Sequence, residues 1–195
     1  LLFEAREVFG DAAQQRVWAV AEDAQAWVGV RETVPGMNNL MIVFDPLAVP
    51  PQTLIERVNQ AWVNPGRDAR EGKTVELPVV YGGEFGPDLA EVAAHAGLDV
   101  KTVVRLHSQT LYAVYFLGAH PGFAYLAGLD PRLHTPRRVE PRLKAPAGSV
   151  AIGGAQTGAI AQTSPSGWQL IGMTEQSFFD AAKSPPALLM PGDRV

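Results

Sequence analysis

Residues 117–173 read LGAHPGFAYLAGLDPRLHTPRRVEPRLKAPAGSVAIGGAQTGAIAQTSPSGWQLIGM, and this stretch decides what kind of fold the chain can have. Positions 118–172 hold nine Gly and six Pro. Both residue types interrupt regular elements, so that content alone would suggest loop or disorder. The same window carries Phe123, Tyr125, Leu126, Leu129, Val150, Ile152, Trp168, Leu170 and Ile171, and disordered segments lack large apolar residues. A compact, loop-rich β structure with many fixed turns satisfies both facts. Short strands are expected near 149–153, 158–163 and 168–172, each bounded by Gly or Pro. Turns so closely spaced point to a barrel or sandwich.

Charge in this window is uneven. Arg132, Arg137, Arg138, Arg142 and Lys144 stand against Asp130 and Glu140, a balance of +3 in a chain whose net charge is −4. A basic island on an acidic protein suits a small anionic ligand better than nucleic acid, which favours a broader basic surface. The competing reading pairs these arginines with acidic groups of the chain or of a partner. Both stay open at this point.

Upstream, the chain alternates between strand and helix patterns. Residues 1–8 suit a short strand closed by Gly10-Asp11. Val17, Val20, Ala21 and Ala24 recur at helical spacing between about Ala12 and Trp27. Val28–Thr33 and Leu40–Phe44 flank the turn formers Pro35-Gly36-Met37-Asn38-Asn39 as a hairpin. Pro50-Pro51 introduces a helix to about Val63, stopped by Asn64-Pro65-Gly66, and Thr74–Val80 is another strand. The order β-α-β-β-α-β is the ferredoxin-like plan, so a first domain is placed at 1–80 and a second at 81–195. In the second, Leu89, Val92, Ala93 and Ala96 line a helix ended by Gly97, Asp99 caps another to about Leu106, and Thr110–Leu117 is a strand. The fold class expected is therefore α+β.

Several motifs invite a chemical reading. Gly66–Thr74 resembles a P-loop but has five residues between its glycines instead of four, and a strand rather than a helix follows Lys73-Thr74. Without a helix N-terminus its amides have no way to hold phosphate. Gly153-Gly154-Ala155-Gln156-Thr157-Gly158 is either an anion-binding nest of backbone amides or a plain β-turn. His120 sits between turn residues beside aromatics and is a candidate acid–base group. His134 is a weaker copy of that case, while His95 and His107 read as surface or packing residues. Arg137-Arg138 suits a bidentate clamp on carboxylate or phosphate. Trp168 either walls a pocket or plugs a barrel end. The four histidines lack paired-ligand spacing, so no protein-bound metal is expected.

With no cysteine, the chain has no disulfides, zinc-thiolate sites or thiol catalysis, and a cytoplasmic setting is expected. No run of about eighteen apolar residues occurs, so no membrane span is expected. Leu1 opens directly into an apolar run and Pro191–Val195 looks like a turn feeding a strand, so the chain reads as a possible piece of a longer fusion.

Tyr81-Gly82-Gly83-Glu84-Phe85-Gly86-Pro87-Asp88-Leu89, Pro121-Gly122-Phe123, Gly128–Leu133, Thr135–Arg138, Pro146–Ile152, Gln156-Thr157-Gly158, Gly167–Gly172 and Pro191–Val195 together resemble the B component of bacterial 5-oxoprolinase. That family has also been labelled allophanate hydrolase subunit 1 and sporulation-kinase inhibitor. It is similar to part of the carboxyltransferase domain of urea carboxylase. The resemblance covers nearly the whole chain. It implies a ferredoxin-like domain followed by a cyclophilin-like β-barrel, partnership with subunits C and A, and ATP-dependent opening of 5-oxoproline to glutamate. A histidine-kinase inhibitor and a carboxyltransferase component are the alternatives. Under the resemblance, Arg137 and Arg138 would neutralise carboxylate or phosphoryl charge, and Gly153, Gly154, Thr157 and Gly158 would meet developing oxyanion charge. Gln156 would orient substrate, His120 would shuttle a proton, and Trp168 would wall the pocket. Ala119 and Ala124 depart from the aromatic and the Pro usual in the family, so the local wall is expected to be reshaped.

Overall fold

Helical spacing of Val17, Val20, Ala21 and Ala24 organises the N-terminal part of the chain. The computed structural model describes residues 1–6, 10–64 and 72–195, in two compact units, Leu1–Gly72 and Lys73–Val195. In the first, β1 (Leu2–Glu4), α1 (Asp11–Gln25), β2 (Val30–Pro35), β3 (Asn39–Phe44) and α2 (Pro51–Val63) follow in the expected order. The strands form an antiparallel sheet ordered β1-β3-β2. The α1 residues named above bury with Leu40 and Ile42 of β3 and with Val58 and Ala61 of α2. Pro51 opens α2 at no cost in hydrogen bonding, because a first-turn amide has no helical acceptor. Buried Gln14 fixes the hairpin turn: it donates to the Gly36 carbonyl at 3.0 Å and accepts the Asn38 amide at 3.1 Å.

The last strand of the expected β-α-β-β-α-β plan does not join this sheet. Thr74 bridges to Arg194, the Val75 amide donates to the Arg194 carbonyl at 2.8 Å, and Val75, Leu77 and Val79 pack on the second core. Their alternate apolar side chains meet an apolar face there, which is what a half-buried strand requires. The compact units accordingly part at Gly72/Lys73, upstream of residue 80. The P-loop look-alike lies, at its residues 66–71, outside the described residues.

The second unit contains β4 (Val80–Tyr81), α3 (Leu89–Ala96), α4 (Val100–Ser108), β5 (Ala113–Leu117), β6 (Ala124–Ala127), β7 (Arg142–Ala145), β8 (Ser149–Gly153), β9 (Gln156–Ala159), β10 (Ser164–Ser166) and β11 (Gln169–Met173). Six strands form one antiparallel sheet ordered β4-β11-β8-β9-β6-β5, and β10 pairs with β7 separately. Gly97 ends α3 in the left-handed conformation, and the Asp99 carboxylate caps α4 by accepting the Thr102 amide at 2.9 Å.

Strand periodicity sends successive side chains to opposite faces of this sheet. Val150, Ile152 and Ile171 pack with Leu89, Val92 and Val103 of the two helices, while Ala151 and Leu170 face Phe123, Ala145, Ile160 and Trp168. Both sheet edges carry further chain. Beyond β5, Gly192–Val195 exchanges backbone hydrogen bonds with Tyr112 and Val114, and Lys73–Val75 pairs in turn with Arg194. At the other edge the same strip, continuing to Tyr81, supplies β4. No helix of the described residues is long and apolar enough to cross a membrane.

Candidate functional site

The turn between β8 and β9 sets the arrangement, because its neighbours in sequence face opposite ways. Gly153 lies against the Trp168 indole so closely that any Cβ would overlap the ring. Gly158 is equally confined: a Cβ there would stand 2.7 Å from the Ala124 carbonyl, with Phe123 and Trp168 beside it. Glycine at both positions lets the aromatic group settle onto the sheet. Trp168 meets Phe123 and Tyr125 edge-on at centroid separations of 5.6 and 5.8 Å, and Phe116 stacks on Tyr125 at 4.3 Å. The exposed Arg137 places its guanidinium 5.6 Å from the Trp168 ring centroid, within the range of a cation–π contact. Gln156 pairs with Gly153 across the turn and so shares this face by strand alternation.

Five of the expected residues thus come together: Arg137, Gly153, Gln156, Gly158 and Trp168. A planar cation beside an aromatic wall, with a carboxamide on the same face, suits a small molecule carrying a carboxylate and an amide.

The others are engaged elsewhere. The Gly154 amide donates to the Thr135 carbonyl at 2.8 Å and Thr135 returns a bond of 3.3 Å, so this amide is taken up by the turn's own bridge. Arg138 turns away from Arg137 to Asp88, with Nη1 3.4 Å from Oδ1. The clamp expected of Arg137-Arg138 is therefore divided between two partners. Arg142 also binds the Asp88 carboxylate. Arg132 pairs with Asp130 two residues away, and its side-chain and backbone hydrogen bonds hold that carboxyl down at about 2. Much of the basic island is thus internally paired, the second of the two readings open from sequence.

Thr157 faces the helices. Its hydroxyl donates to the Ala151 carbonyl at 2.9 Å and so accepts from His107 Nε2 at 2.8 Å. That assigns the proton to Nε2 and leaves Nδ1 to accept from the Tyr81 hydroxyl at 2.7 Å. The Tyr112 hydroxyl donates to the His107 carbonyl at 2.8 Å. Burial pushes the His107 imidazole down to about 4 and the Tyr81 phenol up to about 12. These groups edge a cavity of about 530 Å³ that Val79, Leu126 and Val150 also line. His107 is therefore a buried, hydrogen-bonded residue; its place one helical turn after the buried Val103 is the signal that marks this face of α4.

His120 lies in the β5–β6 connection, held by a 2.6 Å bond from its amide to the Gly118 carbonyl and by the Phe123 amide on its own carbonyl. The preceding Ala119 has φ +59°, a conformation rare for a residue with a Cβ. His120 lines a separate cavity of about 460 Å³ with Leu117, Gly122, Phe179 and Met190, and none of the other expected site residues lines it. Among the described residues no group of three or more His, Cys, Asp or Glu could hold a metal ion.

Asp88 is the residue that sequence reading missed. It appears in the sequence only as the end of a loop feeding a helix, and its partners lie at positions 138, 142 and 170.

Comparison with known proteins gives these residues a context. The family described as carboxyltransferase domain, subdomain C and D, matches residues 1–189. A relative from Escherichia coli O157:H7, named as the B subunit of 5-oxoprolinase, is 50% identical over 187 residues, covering 94% of this chain and 84% of the relative. Two more relatives, at 45% and 37% identity, carry the same name. The crystal structure of TTHA0988 superposes with a TM-score of 0.85 at 36% identity, over 100% of this chain and 38% of that longer one. Kluyveromyces lactis urea carboxylase shares the fold, with a TM-score of 0.81 at 21% identity over 100% of this chain and 20% of its own. A family match over residues 1–189 and an identity of this extent over 94% of the chain place it in the carboxyltransferase-domain family, among the proteins named as the B subunit of 5-oxoprolinase.

Proposed function

We propose that this chain is the B subunit of an ATP-dependent 5-oxoprolinase, inactive alone, which opens 5-oxo-L-proline to L-glutamate with subunits A and C in the cytoplasm. The observation that carries this is the 50% identity over 94% of the chain to a relative of that name. In the overall reaction water adds to the lactam carbonyl, the ring C–N bond breaks, and the nitrogen leaves as the amine of glutamate. ATP supplies the phosphoryl group that activates the amide oxygen, ADP leaves, and a second water releases that group as inorganic phosphate. The turn at Gly153–Gly158 does not fit a phosphate site, since the Gly154 amide is already bound to Thr135; ATP is used together with the partner subunits.

On this chain, Arg137 receives the substrate carboxylate, Trp168 walls the ring, and Gln156 orients the lactam amide. Gly153 and Gly158 bring that wall close to the sheet. Arg138 and Thr157 support the site through their own partners, and His120 takes part in proton movement from the neighbouring cavity. The strip Lys73–Tyr81, which forms one edge of the six-stranded sheet as β4 and pairs at its other end with the Gly192–Val195 segment that extends the opposite edge, supports reading the second unit as a cyclophilin-like barrel. The three-stranded sheet with two helices supports a ferredoxin-like first domain. The kinase-inhibitor and urea-carboxylase readings are not favoured, because the similar relatives carry the oxoprolinase name.

Purified chain is mixed with its partner subunits and 5-oxoproline, and glutamate release is followed with and without ATP. Release is expected only from the complete mixture with ATP; absence of release there overturns the assignment. Arg137→Ala is expected to raise KM for 5-oxoproline at least about tenfold, the scale of one charge-assisted hydrogen bond.

A further inference from the structure

We propose that Asp88 is a positioning residue for the Trp168 face: its carboxylate fixes the stretch Pro136–Arg142 against β11 and so holds Arg137 over the indole. This rests on the reading of Arg137 as the partner of the substrate carboxylate. Asp88 is only 4% exposed and stands at the N-cap of α3, yet its side chain makes no capping bond to that helix. An Asp in this position ordinarily caps. Here Oδ2 accepts the Leu170 amide at 2.7 Å, while Oδ1 accepts from Arg142 and, at 3.4 Å, from Arg138. The backbone is joined as well, the Asp88 amide donating to the Leu170 carbonyl at 2.9 Å. A buried carboxylate persists only when it is paired and hydrogen-bonded in this way.

Two further bonds bracket Arg137. The Arg138 amide donates to the Gly167 carbonyl at 2.7 Å, and Gln169 Nε2 donates to the Pro136 carbonyl at 3.0 Å. The residues on both sides of Arg137 are thereby tied to the residues on both sides of Trp168. With its flanks fixed, the Arg137 backbone has little room to move, and its guanidinium stays at the ring. The charges also matter. Two guanidinium groups meet one buried carboxylate, with the exposed Glu91 no nearer to Arg138 than 3.9 Å. Arg138 Nε and Arg142 Nη1 are buried without a hydrogen-bond partner. With Asp88 and Glu91 together balancing Arg138 and Arg142, the cluster leaves the Arg137 guanidinium as the cation beside the ring.

Asp88→Asn preserves shape and removes the charge. Limited trypsin digestion, read by mass spectrometry, tests the pin without reference to any activity. Cleavage after Arg138 and Arg142 is expected to accelerate more than about tenfold in the variant, as local opening becomes easier, while cleavage after Lys101 and Lys183 and the far-UV circular dichroism stay unchanged. Unchanged cleavage at Arg138, or acceleration at all sites alike, overturns the proposal. If Asp88→Asn does not fold, Arg142→Gln leaves the carboxylate bound to Arg138 and Leu170 and removes the cleavage site at 142; the same acceleration after Arg138 is expected of it and decides the matter. In the complete enzyme, Asp88→Asn and Arg137→Ala should each raise KM for 5-oxoproline, and the double variant should be no worse than the poorer single, because both act through one group. Effects that multiply would separate Asp88 from Arg137 and overturn the proposal. An unmutated complex that releases no glutamate instead ends the functional reading, and the digestion then decides the role of Asp88 alone.

Discussion

His107 is kept neutral by its surroundings, with each ring nitrogen already committed, and the consequence for stability has a definite sign. Its folded-state value of about 4 lies below the ordinary 6.5. Between those values the unfolded chain takes up a proton that the folded chain refuses. Stability is complete above about pH 6.5, falls as pH drops toward 4, and loses no more from this group below that; the contribution is at most about 3 kcal/mol. Urea unfolding of the native chain and of His107→Gln across pH 4 to 7 should show a flatter dependence in the variant, since acid-sensitive groups common to both cancel. Parallel curves would show that the imidazole titrates freely. Gly153 sets a second limit at this scale. Gly153→Ala forces a Cβ into the Trp168 ring and is expected to cost about 1–3 kcal/mol, the usual penalty for overpacking, with a changed near-UV circular dichroism from the displaced indole. Neither His107 nor Asp88 could be assigned from sequence, because each is defined by partners remote in the chain: Tyr81 and Thr157 for one, Arg138, Arg142 and Leu170 for the other. Arg137 was legible as a residue type suited to an anionic ligand and Trp168 as a pocket wall or a barrel plug, whereas the separation of Arg137 from Arg138 was not. Adjacent side chains diverge according to backbone direction, which the sequence does not display.

Helices α1 to α4 formed where their signals lay, whereas the strand expected at 158–163 is found at Gln156–Ala159 and the one expected at Thr74–Val80 only at Val80–Tyr81. The helix starts and stops of α1 to α4 follow from apolar spacing and caps, and Gly97 at φ +65° is the clearest stop. A Cβ at Gly97 would meet nothing within 4 Å, so Gly97→Ala isolates the backbone term and should cost about 1 kcal/mol in thermal unfolding. Gly97→Asn should cost less, because Asn tolerates the left-handed region. Three strands, β6, β7 and β10, were not expected. Ala124–Ala127 is short, Arg142–Ala145 is half charged, and Ser164–Ser166 contains a proline; none has enough apolar alternation to be seen alone. They exist because neighbouring strands supply hydrogen-bond partners, a tertiary contribution that outweighs weak propensity.

At the scale of the molecule, the break between units follows burial rather than the order of elements. Val75, Leu77 and Val79 belong to the core that contains Ile152 and Ile171, although an alternating run after two helices invites assignment to the first domain. A fragment beginning at Lys73 should fold, with one cooperative transition by circular dichroism and an ordered Trp168. One beginning at Tyr81 lacks these three side chains and should not. Equal behaviour of both fragments would show that the strip is dispensable.

The strip and the Gly192–Val195 segment do more than fill the core. An open β-rim with unbonded amides and carbonyls is a template on which other molecules add strands. Here the backbone of β5 is already occupied by Gly192–Val195, and that segment in turn by Lys73–Val75. Peeling away Gly192–Val195, by truncation or proteolysis, would bare a row of docking groups beside Val114, and peeling away Lys73–Val75 would bare those of Arg194. The damaged protein should then self-associate into fibrillar or amorphous aggregates well before its helices melt.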